Sequence, residues 1–342
     1  MFHELPVARI VEETDEAKSI VFDVPPTLAA EFAYRPGQFV TVEVECDGER
    51  LRRCYSLASC PDVEREHKVT VKRTRGGRVS NWLNDRLRPG DKLAVMRPEG
   101  RFVLDARDAP LLLFAGGSGI TPVISILKSA LTTTRRSATL LYANRDRGAT
   151  IFAAELERLQ HAHPGRLTVH HRLDEVHGLL DEPTVRVLAA AHPDASCWLC
   201  GPGPFMTLVE RALVDSGIPP ERVRVERFTI ATPAATSPTS PMPAAAATEQ
   251  PEFIDVELRG DKRRVPYVAG KTLLQVARDA GMDAPYSCEE GFCGCCASNL
   301  LEGKVVMTAD DALTTEEKRR GMILACQSRP ITARCSFRFV DS

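Results

Sequence analysis

The stretch SCEEGFCGCCA, residues 287–297, places four cysteines within nine positions: Cys288, Cys293, Cys295 and Cys296. Four residues separate Cys288 from Cys293 and two separate Cys293 from Cys296, while Cys326 follows far along the chain in ILACQS. Three thiolates on one loop with a distant fourth is the ligand spacing of a [2Fe–2S] centre. Thiolates are soft donors that suit such clusters. Gly291 and Gly294 allow the loop to turn tightly and point backbone N–H groups at sulfur. A structural zinc site more often takes its cysteines as two short pairs; a group of reduced thiols is the plainer alternative. Cys295 competes with Cys296 for the third loop position. The two-residue spacing selects Cys296 and leaves Cys295 as a small apolar neighbour. Cys335, on the last strand, reads as core.

The rest of the chain limits what such a centre could serve. With 342 residues, 43% hydrophobic and 26% charged, it is expected to fold as two or three globular domains. A net charge of −2 argues against nucleic acid or an anionic membrane as a partner. No apolar run reaches the roughly 18 residues of a membrane span. MFHELPVARIVEE lacks the pattern of a secretory signal. A cytoplasmic location is therefore expected, where eleven cysteines stay reduced.

The segment TIATPAATSPTSPMPAAAATEQPE (229–252) is almost wholly Ala, Pro, Ser and Thr and reads as a linker over 229–251. Ahead of it the pattern changes near residue 109. Residues 1–108 show short alternating runs, at 38–45, 53–59, 68–74 and 91–97, which predict an antiparallel β-barrel or sheet. Residues 109–228 alternate apolar strands (111–115, 138–143, 167–171, 197–200, 223–228) with helical patterns, including a helix from Pro122. This is an α/β unit with a parallel sheet. Residues 252–342 mix short strands with a helix over 271–280, an α+β pattern around the cysteine loop.

Three further motifs carry chemistry. In RCYS, Arg53 and Tyr55 alternate on one strand face with Ser56 beside them. Arg53 can pair with phosphate, Tyr55 can lie along a flat ring, and Ser56 can bond its edge. In VKRTRGGRVSNWL (71–83), Gly76, Gly77 and Ser80 open a helix whose free N–H groups suit a pyrophosphate. A surface strand followed by a turn is the plainer reading of both. In AGGSGITP (115–122), glycines after a strand let a phosphate approach the backbone, although Pro122 departs from a GxGxxG fingerprint. CGPGPFM (200–206) ends a later parallel strand, where ligands of such sheets bind. Cys197 and Cys200 could be half a zinc site, but residues 109–228 hold no second pair. The eight histidines show no ligand-like spacing.

Taken in order, RCYS, GGRVSNWL, GGSGITP, CGPGPFM and the cysteine set resemble the ferredoxin–NADP reductase superfamily with a C-terminal plant-type ferredoxin domain. The stretches VKRTRGGRVSNWLNDRL, LLYANRDRGATIF and ILACQSRP look most like the reductase components of steroid 9α-hydroxylating and phenylacetyl-CoA-epoxidising systems. The resemblance implies an FAD-binding barrel, an NAD(P)-binding α/β domain and a β-grasp ferredoxin domain. It implies that Arg53, Tyr55, Ser56, Lys72, Gly77, Val79, Ser80, Thr121 and Phe228 line FAD. It places Gly116, Gly117, Gly119, Asn144, Arg145, Cys200, Gly201 and Pro202 at NAD(P), with Ser56, Thr121 and Cys200 nearest the chemistry. Cys288, Cys293, Cys296 and Cys326 hold the cluster.

By the same resemblance, NADH or NADPH passes a hydride to FAD, and single electrons continue through [2Fe–2S] to a terminal oxygenase, a Rieske-type one favoured. A di-iron epoxidase or desaturase is the alternative acceptor, and an iron–sulfur redox sensor a more distant one. Arg145 and Arg147 could meet a 2′-phosphate, whereas Asp146 between them and the steroid-type likeness favour NADH. The linker permits a fixed or a mobile ferredoxin domain, and a monomer is expected. Glu289 and Cys295 depart from common ferredoxin residues, and both could tune the cluster.

Overall fold

The computed structural model describes residues 1–228, 250–289, 291, 293–310 and 312–340. The expected linker therefore lies, except for residues 250 and 251, outside the described residues. The chain forms two compact units, Met1–Phe228 and Thr229–Ser342.

The first unit holds two sheets. The first comprises β1 (Phe2–Thr14), β2 (Ala17–Phe22), β3 (Phe39–Cys46), β4 (Glu49–Ser56), β5 (His67–Lys72) and β6 (Lys92–Met96), with helix α1 (Arg78–Asp85) between the last two. Their order is β4-β3-β6-β1-β2-β5, with antiparallel pairing throughout. The outer strands meet again where Leu57 bridges Val69 and the Ala58 N–H donates to the Lys68 carbonyl at 2.7 Å, so the sheet closes on itself. Leu5, Val7, Ile20, Val40, Val42, Val69 and Val95 fill its interior. Neither β1 nor β2 is evident in the sequence, because charged residues interrupt the alternation of FHELPVARIVEET.

The second sheet contains β7 (Leu111–Gly116), β8 (Ala138–Asn144), β9 (Leu167–Leu173), β10 (Ser196–Gly201) and β11 (Val223–Arg227), all parallel, in the order β11-β10-β7-β8-β9. Helices α2 (Ile120–Thr133), α3 (Ala153–Ala162), α4 (Asp174–His177), α5 (Glu182–Ala191) and α6 (Gly203–Asp215) link the strands. Every residue of β7 and of β10 is buried, as central parallel strands between helical layers must be. The chain winds outward from β7 to β9, then returns to place β10 on the other side. The carboxyl ends of β7 and β10 thus flank the switch point at which ligands bind in such sheets. The sequence places the start of α2 at Pro122. Instead the glycines form a short 3-10 turn, Gly117–Gly119, and α2 begins at Ile120. Pro122 still falls in the first turn, where its missing N–H has no intrahelical acceptor to lose.

In the second unit, β12 (Phe253–Leu258), β13 (Asp261–Pro266), β14 (Ala297–Glu302), β16 (Met322–Leu324) and β18 (Ser336–Phe339) form a mixed sheet, β13-β12-β18-β14-β16. Strands β15 (Val305–Met307) and β17 (Ser328–Pro330) pair separately. Helix α7 (Leu273–Asp279) packs its Leu273, Leu274, Val276 and Ala277 into the core beside Phe337 and Phe339. Helix α8 (Thr315–Arg319) lies between β15 and β16 in the chain. Both helices open with capping boxes, Thr272 with Gln275 and Thr314 with Glu317. Cys335 is 3% exposed and belongs to this core.

The barrel and the parallel sheet are clasped through the polar face of α2. Ser125 Oγ donates to the Ser59 carbonyl at 2.6 Å, and Ser129 Oγ donates to Asp62 at 2.6 Å. Lys128 is 4% exposed and donates to the Ala58 carbonyl (2.9 Å), Glu64 (2.8 Å) and Glu155 (3.0 Å). A buried ammonium is tolerated because all three donors are used. Lys128→Ala leaves Glu64 with the Cys60 N–H and Glu155 with Lys68 but removes the cation they share, and is expected to lower stability by about 2–3 kcal/mol in urea unfolding followed by flavin release. A loss below about 1 kcal/mol would mean that this clasp does not hold the two sheets together.

Candidate FAD, nicotinamide and iron–sulfur sites

The two glycine motifs of the α/β sheet meet at the switch point. A β-carbon on Gly119 would lie 2.1 Å from the Cys200 carbonyl oxygen and 2.7 Å from the Gly201 nitrogen. One on Gly116 would lie 2.8 Å from Pro202 Cδ, and one on Gly201 3.1 Å from Gly116 Cα. No side chain fits there, so backbone is in contact with backbone. The turn is pinned from below, where Tyr142 Oη donates to the Gly117 carbonyl at 3.1 Å. Thr121 is buried and spends its hydroxyl on the Ser118 carbonyl at 3.0 Å. Phe228 packs on the cluster that contains Ile120 and Cys200.

The barrel delivers its residues to the same mouth. Lys72, at the end of β5, has its Nζ 3.8 Å from where a β-carbon of Gly117 would be. Glu16 bridges the two sheets by pairing with Lys72 at 3.8 Å and with Arg145 at 3.7 Å. Gly77 caps α1, and a β-carbon on it would lie 2.5 Å from Ser80 Oγ, which itself accepts from the Thr74 N–H at 3.2 Å. Val79 is buried in the barrel core. Arg53 and Tyr55 share a face of β4, and Arg53 opposes the burial that pushes the Tyr55 hydroxyl well above the usual phenol range.

Two of the buried polar side chains without hydrogen-bond partners stand at the ends of strands, Ser56 on β4 and Asn144 on β8. Ser56 is 2% exposed at the end of β4, and its Oγ has no hydrogen-bond partner. Asn144 is buried at the end of β8 beside the Tyr142 hydroxyl, yet neither end of its amide makes a well-formed hydrogen bond. A buried unsatisfied polar group costs about 1–3 kcal/mol, and a ligand that bonds it removes that cost. A flavin at Ser56, with phosphates near Lys72 and Gly77, and a dinucleotide over Gly116, Gly119 and Asn144 fit these residues. Arg145 is exposed and paired with Asp146 at 2.7 Å as well as with Glu16.

Glu226 escapes a reading of the sequence. It stands opposite Cys200 in the parallel register of β10 and β11. Burial pushes its carboxyl up to about 8, with Arg101 pulling the other way. Burial first, then Glu226, push the Cys200 thiol well above its ordinary value, so it stays protonated and is no nucleophile. The signal available in VERF is a single acid in an otherwise apolar-alternating strand.

In the second unit, Cys288, Cys296 and Cys326 are buried and Cys293 is half-buried. Cys296 and Cys326 share a thiol hydrogen bond, which draws Cys326 down and pushes Cys296 up. The Cys326 N–H points at Cys296 Sγ from 3.4 Å. Among the described residues no three such side chains converge on a single metal ion. The donor set is all thiol, with N–H groups directed at sulfur, and this is the chemistry an iron–sulfur cluster requires. Cys295 is 8% exposed.

Residues 4–104 match the oxidoreductase FAD-binding domain family, 113–211 the oxidoreductase NAD-binding domain family, and 256–330 the 2Fe-2S iron-sulfur cluster binding domain family. The chain is 44% identical to the ferredoxin reductase component of 3-ketosteroid-9-alpha-monooxygenase from Rhodococcus rhodochrous, covering 98% of this chain and 96% of that one. It is 33% identical to one of the subunits of 1,2-phenylacetyl-CoA epoxidase from Escherichia coli strain K12, covering 97% and 96%. Among solved structures, phthalate dioxygenase reductase superposes with a TM-score of 0.61 at 28% identity, covering 99% of this chain and 98% of that one. The relatives match along nearly their whole length, and the chain belongs to the NAD(P)H-dependent iron–sulfur flavoprotein reductases of the ferredoxin–NADP reductase superfamily, which serve as reductase components of oxygenase systems.

Proposed function

We propose that this chain is the NADH-dependent reductase of a Rieske-type 3-ketosteroid 9α-hydroxylase, working as a cytoplasmic monomer. The likeness to the Rhodococcus component along nearly the whole chain supports that partner. Arg145, tied by Asp146 and Glu16, supports NADH, because a 2′-phosphate would have to break those pairs. Domain limits of 1–108, 109–228 and 252–342, with the linker between the last two, follow the sheets described above.

The observation that carries the redox role is the buried, unpartnered Ser56 hydroxyl. When bound, FAD accepts a hydride from the nicotinamide and supplies single electrons to the cluster. The residues position and shield these groups. Ser56 Oγ offers one donor and two acceptor sites to the edge of the ring. Tyr55 and Phe228 give it flat apolar walls. Arg53, Lys72 and the N–H groups at Gly77, Val79 and Ser80 face the phosphates. Gly116, Gly117, Gly119, Gly201 and Pro202 clear the floor for the nicotinamide, with Asn144 holding the far end. The neutral Cys200 thiol and Thr121 close the pocket without adding charge. Cys288, Cys293, Cys296 and Cys326 are the cluster ligands.

Ser56→Ala is expected to slow NADH-driven flavin bleaching in stopped flow by about two orders of magnitude while leaving cluster absorption intact. An unchanged rate would remove Ser56 from the chemistry. Cys326→Ser should abolish the cluster spectrum and spare NADH–dye reduction; a cluster that survives Cys326→Ser but not Cys295→Ser would reverse the ligand assignment. Glu226 keeps its proton in the folded chain to about pH 8, after the unfolded chain has released it, so its contribution to stability falls as pH rises from about 4.3 through about 8. The melting temperature of Glu226→Gln should fall less over that window than that of the wild type. Parallel curves would contradict the raised carboxyl. For the partner, NADH-driven turnover is compared between a 3-ketosteroid 9α-hydroxylase oxygenase and a di-iron epoxidase component; faster coupling to the di-iron protein would overturn the choice.

A further inference from the structure

Gln327 follows the distal cysteine, and its side chain lies where the two ends of the cysteine set come together. Its Nε2 donates to the Glu289 carbonyl at 2.8 Å and to Cys326 Sγ at 3.5 Å. Its Oε1 accepts from the Thr308 hydroxyl. The amide orientation is not interchangeable. The Glu289 carbonyl can only accept, so the NH2 end must face it, and the second N–H is then free for sulfur. Thr308 completes the arrangement at the oxygen end.

The backbone is shaped around this amide. Glu289, directly after Cys288, adopts φ 56°, a left-handed conformation that non-glycine residues rarely take. That conformation presents its carbonyl to Gln327. Gly291 has φ 87°, and a β-carbon there would lie 2.9 Å from Gln327 Cγ. The loop therefore crosses directly over the glutamine, and its glycine leaves the room. One amide joins the segment after the first cysteine to the sulfur of the last.

We propose that Gln327 is a positioning residue that sets the potential of the [2Fe–2S] centre by donating a hydrogen bond to Cys326 Sγ, with Thr308 and the Glu289 carbonyl fixing its orientation. The proposal rests on the cluster assignment above. A donor on a ligating sulfur withdraws charge and favours the reduced cluster, because that state carries the extra electron. The direction matters for a carrier: the amide makes the centre a better electron acceptor.

The test uses the full-length chain loaded with FAD and cluster. Wild-type protein must show the cluster's absorption and, when reduced, its EPR signal; their absence would overturn the cluster assignment and the proposal with it. Gln327→Leu is expected to make cluster reduction about tenfold less favourable, about 59 mV in a one-electron titration. Its iron–thiolate stretches should move to higher frequency in resonance Raman. Gln327→Glu keeps the shape, loses the donors and adds charge, so its potential should fall further. Thr308→Val should give a smaller fall in the same direction. An assembled cluster with unchanged potential and Raman bands in Gln327→Leu would overturn the proposal alone, leaving the glutamine as a loop pin. If Gln327→Leu does not assemble, Thr308→Val decides: a fall supports the proposal and an unchanged potential overturns it.

Discussion

The backbone contact between Gly119 and Cys200 is the constraint on which the first unit depends. With 2.1 Å between a would-be β-carbon and the carbonyl oxygen, only glycine permits the turn after β7 to rest on the end of β10. That contact seats the first turn of α2. The polar face of α2 then grips residues 58–64 through Ser125, Lys128 and Ser129, and residues 57–58 continue from Ser56. The barrel strand that ends in Ser56 is thus referenced to the same helix that opens at the glycine turn. A hydride can pass only between atoms held within roughly 3–3.5 Å of each other, and short polar contacts around one helix fix the two sheets to each other.

The mouth between the two sheets combines buried neutral residues with partly exposed cations. Cys200 is fully buried opposite the partly buried Glu226 of β11, and burial raises both groups above their ordinary values. Lys72, Arg53 and Arg145 stand toward the rim, with Glu16 holding two of the cations across the joint between sheets. Ser56 and Asn144, at the ends of β4 and β8, keep buried side-chain atoms without hydrogen-bond partners.

Much of this can be read from the sequence because the informative signals are local. The all-buried runs LLLFA and CWLC announce central parallel strands, the glycine runs announce turns, and the cysteine spacing announces the cluster loop. What escapes depends on register or on distant pairing. The long strand β1 carries charges that blur its alternation, and the short β2 is buried almost throughout and so shows none. Glu226 matters because it sits opposite Cys200 across a ladder, which no local pattern encodes. Lys128 looks like an ordinary helix lysine until three acceptors, two from the β4–β5 connection and one from α3, surround it. Gln327 is likewise inconspicuous in ILACQS until the loop passes over it. Pro122 misleads by two residues because a 3-10 turn absorbs the glycines before the helix begins.

The central claim is that electrons reach the thiol-held cluster from nicotinamide only through a flavin seated at Ser56. It is tested most directly by mixing NADH anaerobically with the full-length, cluster-loaded chain, with and without FAD, and following the cluster by EPR. The account predicts a reduced [2Fe–2S] signal within the flavin-loaded protein's turnover time and none in the flavin-free protein over the same interval. Equal cluster reduction in both samples, or no [2Fe–2S] signal in either, would contradict it.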